Sequence, residues 1–430
     1  MRLLLDFIRK HTSGQSCGVY SVCSAHEIAI EAALIHAKRM EAPLALLEAT
    51  SNQVNQDGGY TGMQPADYCN FVLGVADRVG FPRSRVALGG DHLGPHPWRR
   101  LPAAQAMAKA AEMVSRYVEA GFRKIHLDCS MSCSDDSGQL PDETIARRSA
   151  SLCSAAEQTW ARVGGEAPVY VIGTEVPVPG GAQEALQELA VTTPEAARAT
   201  IRKHREVFLE AGLGAGWSRV VAAVVQPGVE FDHRTVLAYN PVKAEALSKV
   251  AAEYPGMVFE AHSTDYQTPE ALAQLVRDHF AVLKVGPAVT FALREALWGL
   301  DAIEREWLGE ANASRLRGIT IQRMKAEPEH WSQYYKAGTS LDFDLQYSLS
   351  DRIRYYWNQP DVVAAQSLLF MNLANNPPPD ALVSQYLPTV FRRGRRGRHG
   401  WEPRILVIEK ICSVLDEYSL ACGFARSAAS

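Results

Sequence analysis

Eight short apolar runs recur through the first three hundred or so residues, and most end in polar residues. The endings are Cys23-Ser24, Glu48-Ala49-Thr50, Gly90-Asp91-His92, Asp128-Cys129-Ser130, Gly173-Thr174-Glu175, Gln226-Pro227-Gly228, Ala261-His262-Ser263 and Val285-Gly286-Pro287. A helix-like stretch follows nearly every one. Strand then helix, repeated eight times, predicts a (β/α)8 TIM barrel. Catalytic groups of such barrels gather where the strands end, so the same pattern marks both a fold and a functional rim.

The runs predict strands at Gly18–Cys23, Leu44–Ala49, Val86–Gly89, Lys124–Leu127, Val169–Ile172, Arg219–Val225, Met257–Glu260 and Val282–Val285. Two loops stand out. SNQVNQDGGYTGM follows the second strand, with glycines as turn points, and EVPVPGGAQEALQELAVTT follows the fifth. The length and the proline and glycine pairs of the latter predict a lid or binding loop. After Gly309 helical periodicity continues without clear strands. The expected organisation is a barrel over 1–308 carrying the active site and a helical C-terminal extension over 309–430.

Composition narrows the function classes. The chain has 430 residues, 47% hydrophobic and 21% charged, with net charge −4, so nothing draws it toward nucleic acid or an anionic membrane. The basic cluster RRGRRGR at 392–398 reads as a solvated turn. None of the eight cysteines forms a CxxC pair, which fits buried free thiols in a reducing compartment. Asp6, Arg9 and Lys10 interrupt the first apolar stretch as no signal-peptide core would, and no apolar run approaches membrane-spanning length. A cytoplasmic location is expected. Barrels of this class often pair, so a homo-oligomer is expected by analogy alone.

Several strand-end residues suit chemistry. Asp91-His92 sets a carboxylate beside an imidazole, a pair able to move a proton next to a bound metal. Glu175, Gln226 and His262 end the fifth, sixth and seventh strands. With His92 they offer nitrogen and oxygen donors suited to a divalent cation, Zn²⁺ above all, with Mn²⁺ or Mg²⁺ as alternatives. Gln226 is an unusual ligand and is equally suited to bonding substrate, while Glu175 serves as ligand or acid/base group. His126 and Asp128, two apart on the fourth strand, point the same way. Asp128 suits either orienting a neighbour or binding a sugar hydroxyl. The amides of Asn52, Gln53 and Asn55 suit a hydroxyl-rich ligand. Arg352 and Arg354 place two guanidinium groups two apart, which suits a phosphate monoester through bidentate hydrogen bonds and equally a surface salt bridge.

The segments ATSNQVNQDGGYTGM, LGGDHLGPHPW, KIHLDCSMSC, GTEVPVPGG, VVQPGVEFDH, EAHSTDYQT and SDRIRYYW resemble the GatZ/KbaZ family. That family is associated with tagatose-bisphosphate aldolase and has also been labelled tagatose 6-phosphate kinase. The barrel half is similar to class II aldolases, whose strand-ending Asp-His pair binds Zn²⁺ through His and handles a proton through Asp. Asp91-His92 matches that pair, His262-Ser263 their second metal His, and Glu175 their strand-five acid. The departure is Gln226, where those enzymes carry a further metal His. The resemblance implies a phosphorylated ketohexose as ligand and galactitol or tagatose catabolism as context. Two roles follow from it. One is a metal-dependent 4-epimerase linking D-tagatose 6-phosphate and D-fructose 6-phosphate by retro-aldol chemistry. The other is a non-catalytic subunit supporting a class II tagatose-bisphosphate aldolase. The kinase label is the weakest of these readings, because no GxxxxGK[ST] loop occurs in the chain.

Overall fold

The eight apolar runs become eight parallel strands that close on themselves. In the computed structural model, which describes residues 1–174, 182, 189–336, 338–394 and 400–424, they are β1 (Val19–Cys23), β2 (Ala45–Thr50), β3 (Val86–Leu93), β4 (Lys124–Leu127), β5 (Val169–Gly173), β6 (Val220–Val224), β9 (Val258–Ala261) and β10 (Val282–Val285), with a small antiparallel hairpin of β7 (Glu230–Phe231) and β8 (Val236–Leu237) between β6 and β9. Hydrogen bonding runs β1-β10-β9-β6-β5-β4-β3-β2 and back to β1. The expected (β/α)8 barrel is therefore the observed fold.

Two local features differ from expectation. The third strand continues past Gly89 through Asp91 and His92 to Leu93, because β2 pairs with it as far as Thr50 opposite Asp91. The hairpin was not anticipated, since two-residue strands carry no periodicity.

The barrel interior is layered. At its N-terminal end Val19, Leu46, Val171, Val224, Val258 and Val282 form an apolar plug with Leu4 and Ile8 of the helix Arg2–Thr12. Above this plug the inward positions change to charged residues. Glu48, Lys124, Glu260 and Lys284 are all buried there. Side chains on a strand alternate faces, so Lys124 and His126, Glu260 and His262 rise on one face toward the rim.

The segment beyond Leu308 is helical among its described residues. Its last helix, Pro403–Ala421, packs on the helices Glu27–Arg39, Pro269–Arg277 and Pro287–Leu308. Proline opens each of Pro269–Arg277, Pro287–Leu308 and Pro403–Ala421, where its missing N–H costs no hydrogen bond. The Tyr418 hydroxyl donates to the Thr264 carbonyl at 2.8 Å, tying this helix to the loop after β9. Among the described residues no helix is long and apolar enough to cross a membrane.

Candidate metal and sugar-binding site

At the C-terminal mouth of the barrel, buried charges of both signs interlock. Lys124 Nζ lies 2.9 Å from Glu48 Oε1 and 2.7 Å from Glu260 Oε2. Lys284 Nζ pairs with Glu48 and lies 3.1 Å from Asp91 Oδ1. Such a network persists in a low-dielectric interior only when each charge is compensated. Space for it comes from Gly89, where a Cβ would lie 2.6 Å from Glu48 Cγ.

Three imidazoles stand above this layer. The rings of His92 and His262 are 4.8 Å apart, and that of His126 is 5.2 Å from each. Every one has a ring nitrogen engaged by a carboxylate. His92 Nδ1 is 2.8 Å from Asp128 Oδ2, His126 Nδ1 is 2.9 Å from Asp91 Oδ1, and His262 Nε2 is 2.9 Å from Glu260 Oε1. This is how metal-bound imidazoles are oriented, one nitrogen to a carboxylate and the other to the ion. His126 Nε2 is buried with no hydrogen-bond partner among the described residues, an orphan a cation would satisfy. Donor atoms of Asp91, His126, Glu260 and His262 all lie within 4.8 Å of one another. Four carboxylates, including Asp128, face two ammonium groups, leaving two negative charges beside the imidazoles. The donor set and its charge are compatible with a divalent cation.

The electrostatics assign protonation states. Burial would raise Asp91, but Lys284, then His92 and the His126 bond, hold it well below the usual carboxylate range. Burial would lower His92, yet Asp91 and Asp128 outweigh it and raise the ring. His262 is pushed down to about 4, chiefly by burial, and so is neutral and able to ligate. Burial opposes the charge on Lys284, but Asp91, Cys23, Glu48 and Glu260 raise it well above the usual value. Lys284 is thus a fixed cation rather than a free amine.

Two residues here hold left-handed backbone without being glycine, His92 with φ 49° and Ser263 with φ 53°. Such conformations cost roughly 1–3 kcal/mol each and concentrate at functional sites. At His92 the turn brings its backbone nitrogen within 3.2 Å of His126 Nδ1. The chain then passes so close to β4 that a Cβ at Gly94 would lie 1.6 Å from the Asp128 carbonyl oxygen.

A pocket opens over this cluster. Asp91, His92, His262 and Lys284 line its floor, with Asn52, Gln53, Tyr60 and Arg354 among its walls. Of the residues expected from sequence, Asp91, His92, His262, Asn52, Gln53 and Arg354 are therefore brought together. Others are not. Gln226, expected as a metal ligand, accepts from the N–H groups of Gly228 and Val229 at 2.8 and 3.0 Å, so its amide oxygen closes a local turn. His126 stands among the imidazoles instead. Asn55, expected on substrate, folds its own loop, donating to the Ser51 carbonyl and accepting from Asp57 and Gly59. Asp128 meets His92 through Oδ2 and Ser130 through Oδ1 and does not line the pocket, an arrangement that suits its orienting alternative. Arg352 lies under Tyr334, its guanidinium carbon 3.2 Å from the ring centre, and lines an adjacent cavity. Glu175 lies outside the described residues.

Sequence reasoning missed Lys124, Glu260 and Lys284. Their signal was a charged residue at an alternating position inside an otherwise apolar strand.

A crystal structure described as a probable tagatose 6 phosphate kinase from Sinorhizobium meliloti 1021 is 49% identical, covering 94% of this chain and 100% of that chain, with TM-score 0.85. More distant is the fructuronate-tagaturonate epimerase UxaE from Cohnella laeviribosi, 14% identical over 97% of this chain and 85% of that one, with TM-score 0.48. The YdjI aldolase from Escherichia coli K12 is 9% identical over 86% of this chain and 94% of that one, with TM-score 0.43. The model of the family described as D-tagatose-1,6-bisphosphate aldolase subunit GatZ/KbaZ-like matches residues 4–423, and the chain belongs to that family.

Proposed function

We propose that this chain is a divalent-metal-dependent enzyme acting on a phosphorylated ketohexose, interconverting D-tagatose 6-phosphate and D-fructose 6-phosphate at C4. The observation that carries the proposal is the convergence of His92, His126 and His262 beside Asp91, under a pocket that Asp91, His92 and His262 line. These three imidazoles would hold the cation, with Zn²⁺ favoured by the nitrogen-rich set. A cation there supplies Lewis-acid stabilisation of negative charge developing on ketose oxygens.

The C4 proton of a 2-ketose is not acidic, so inversion at C4 proceeds most simply by breaking C3–C4. Asp91, kept ionised by Lys284, takes the proton of the C4 hydroxyl. C4 becomes an aldehyde, and the electron pair of the broken bond moves onto the C2 carbonyl oxygen. The aldehyde turns, the bond re-forms on its other face, and Asp91 returns the proton. Aldolase and epimerase share this cleavage and differ in whether the fragments leave. An imine route through Lys284 is disfavoured, because its three carboxylate neighbours hold the amine protonated. Glu175 remains in the proposal as a second acid/base or ligand group.

The phosphate falls to Arg354. The N-terminus of the helix Pro287–Leu308, a common phosphate site in barrels, is taken by Asp265, which accepts from Gly286 and Ala288 at 3.0 and 2.8 Å. Asn52 and Gln53 would bond the sugar hydroxyls.

The family description, an aldolase subunit, favours a second reading in which the chain supports a separate catalytic subunit. Incubating the purified chain alone with tagatose 6-phosphate separates the two. Fructose 6-phosphate formation that is abolished by chelator supports the enzyme. No conversion by metal-replete chain, with tight co-purification of a class II aldolase, supports the subunit.

A further inference from the structure

A second cavity adjoins the first and is built for an anion. Arg99, Arg100 and Arg352 line it, with His96, Trp98 and Tyr334. Asn52 and Tyr355 line both cavities and form the wall between them. The Tyr355 hydroxyl accepts from Arg352 Nη1 at 3.2 Å on one side and from Arg354 Nη2 at 3.2 Å on the other. Tyr355 is itself held by stacking on His330, ring centres 4.7 Å apart at 11°.

The charge balance of this cavity is positive. Arg99 and Arg100 are exposed and make no ion pair among the described residues. Among the described lining residues Glu329 is the one carboxylate, against three guanidinium groups. Burial pushes His96 down to about 4 and lowers His330, so neither adds charge near neutral pH. Among the described lining residues the formal charge is therefore two positive, which matches the roughly −1.5 to −2 of a phosphate monoester. His96 Nδ1 is buried without a hydrogen-bond partner among the described residues, and neutral imidazole offers a donor as well as an acceptor. Guanidinium forks bind phosphate oxygens in pairs, whereas a merely solvated surface would intersperse counter-charges.

We propose that the cavity walled by Arg99, Arg100 and Arg352 is a second phosphate-binding site, separate from the Arg354 pocket and joined to it through Tyr355. It takes a phosphate group, whether free or carried as an ester. The site stands or falls apart from the epimerase reaction, because binding is measured without turnover.

The test is calorimetric titration of the full chain with inorganic phosphate, repeated with fructose 6-phosphate. Two phosphate sites are expected. Arg99→Gln/Arg100→Gln, at exposed positions where folding is not at stake, should weaken one of them by roughly tenfold or more, as loss of charge-assisted hydrogen bonds predicts. Arg354→Gln should weaken the other. If the double variant also loses one mode of fructose 6-phosphate binding, the occupant is an ester, and if it loses only inorganic phosphate, the occupant is the free ion. Phosphate binding unchanged in Arg99→Gln/Arg100→Gln, or a single site lost with Arg354→Gln, overturns the proposal.

Discussion

Lys284 Nζ lies 3.1 Å from Asp91 Oδ1, joining the eighth barrel strand to the third across the floor of the pocket. The same ammonium pairs with Glu48, itself held by Lys124. One cation therefore sets the charge of the proposed base and compensates the layer beneath it. Lys284→Met should leave Glu48 and Asp91 partly uncompensated and cost on the order of 3–5 kcal/mol, as breaking a buried pair does. Urea denaturation of Lys284→Met, Glu48→Gln and the double variant checks this. The double variant should be more stable than Lys284→Met alone, and simple additivity would refute the coupling.

Asp128 orients His92 through the 2.8 Å contact to Nδ1. Asp128→Asn keeps shape but loses the charge, and outer partners of metal-bound imidazoles typically carry about 10–100-fold in affinity. Competition with a chelator of known affinity should show metal affinity falling by about that factor. A change under about twofold would assign Asp128 some other role.

Gly89 faces Glu48 with no room for a methyl group. Gly89→Ala should push Glu48 off its two lysines and destabilise by roughly 1–3 kcal/mol, the usual cost of overpacking. Thermal unfolding measures it, and an unchanged midpoint would show that the layer tolerates movement.

The last helix reports pH at the barrel's outside. Asp416 lies 3.0 Å from His36 Nε2 and pairs with Arg393. Burial would raise its carboxyl, but His36 and Arg393 outweigh burial and hold it down to about 2. A carboxyl lower in the folded chain than in the unfolded one adds stability that is fully present above about pH 4 and lost as pH falls through about 2. The contribution is on the order of 2 kcal/mol. Asp416→Asn should lower stability at neutral pH, and its difference from wild type should shrink across that acid window. A pH-independent difference would contradict the pairing.

The fold was legible because eight buried parallel strands write themselves as apolar runs. β4 and β10 fall where they were expected, at Lys124–Leu127 and Val282–Val285. The site was legible where chemistry sits at a strand end, as at Asp91, His92 and His262. It was not legible where partners meet only through the barrel. Glu48 and Lys284 are 236 residues apart, and nothing local in either strand names the other. Gln226 shows the converse. Its position at the end of a strand suggests a ligand, but an amide oxygen two residues before a glycine N–H closes a turn. His126 was visible only as one of an inward pair with Asp128, and the third dimension is what sets it beside His92 and His262.

His92, His126 and His262 form the proposed metal site, with Gln226 outside it. Metal analysis of chain purified without chelator, compared with His126→Ala and Gln226→Ala, tests this most directly. About one equivalent of divalent metal is expected in wild type and in Gln226→Ala, and under about a tenth in His126→Ala. Full metal in His126→Ala, or its loss in Gln226→Ala, would contradict it.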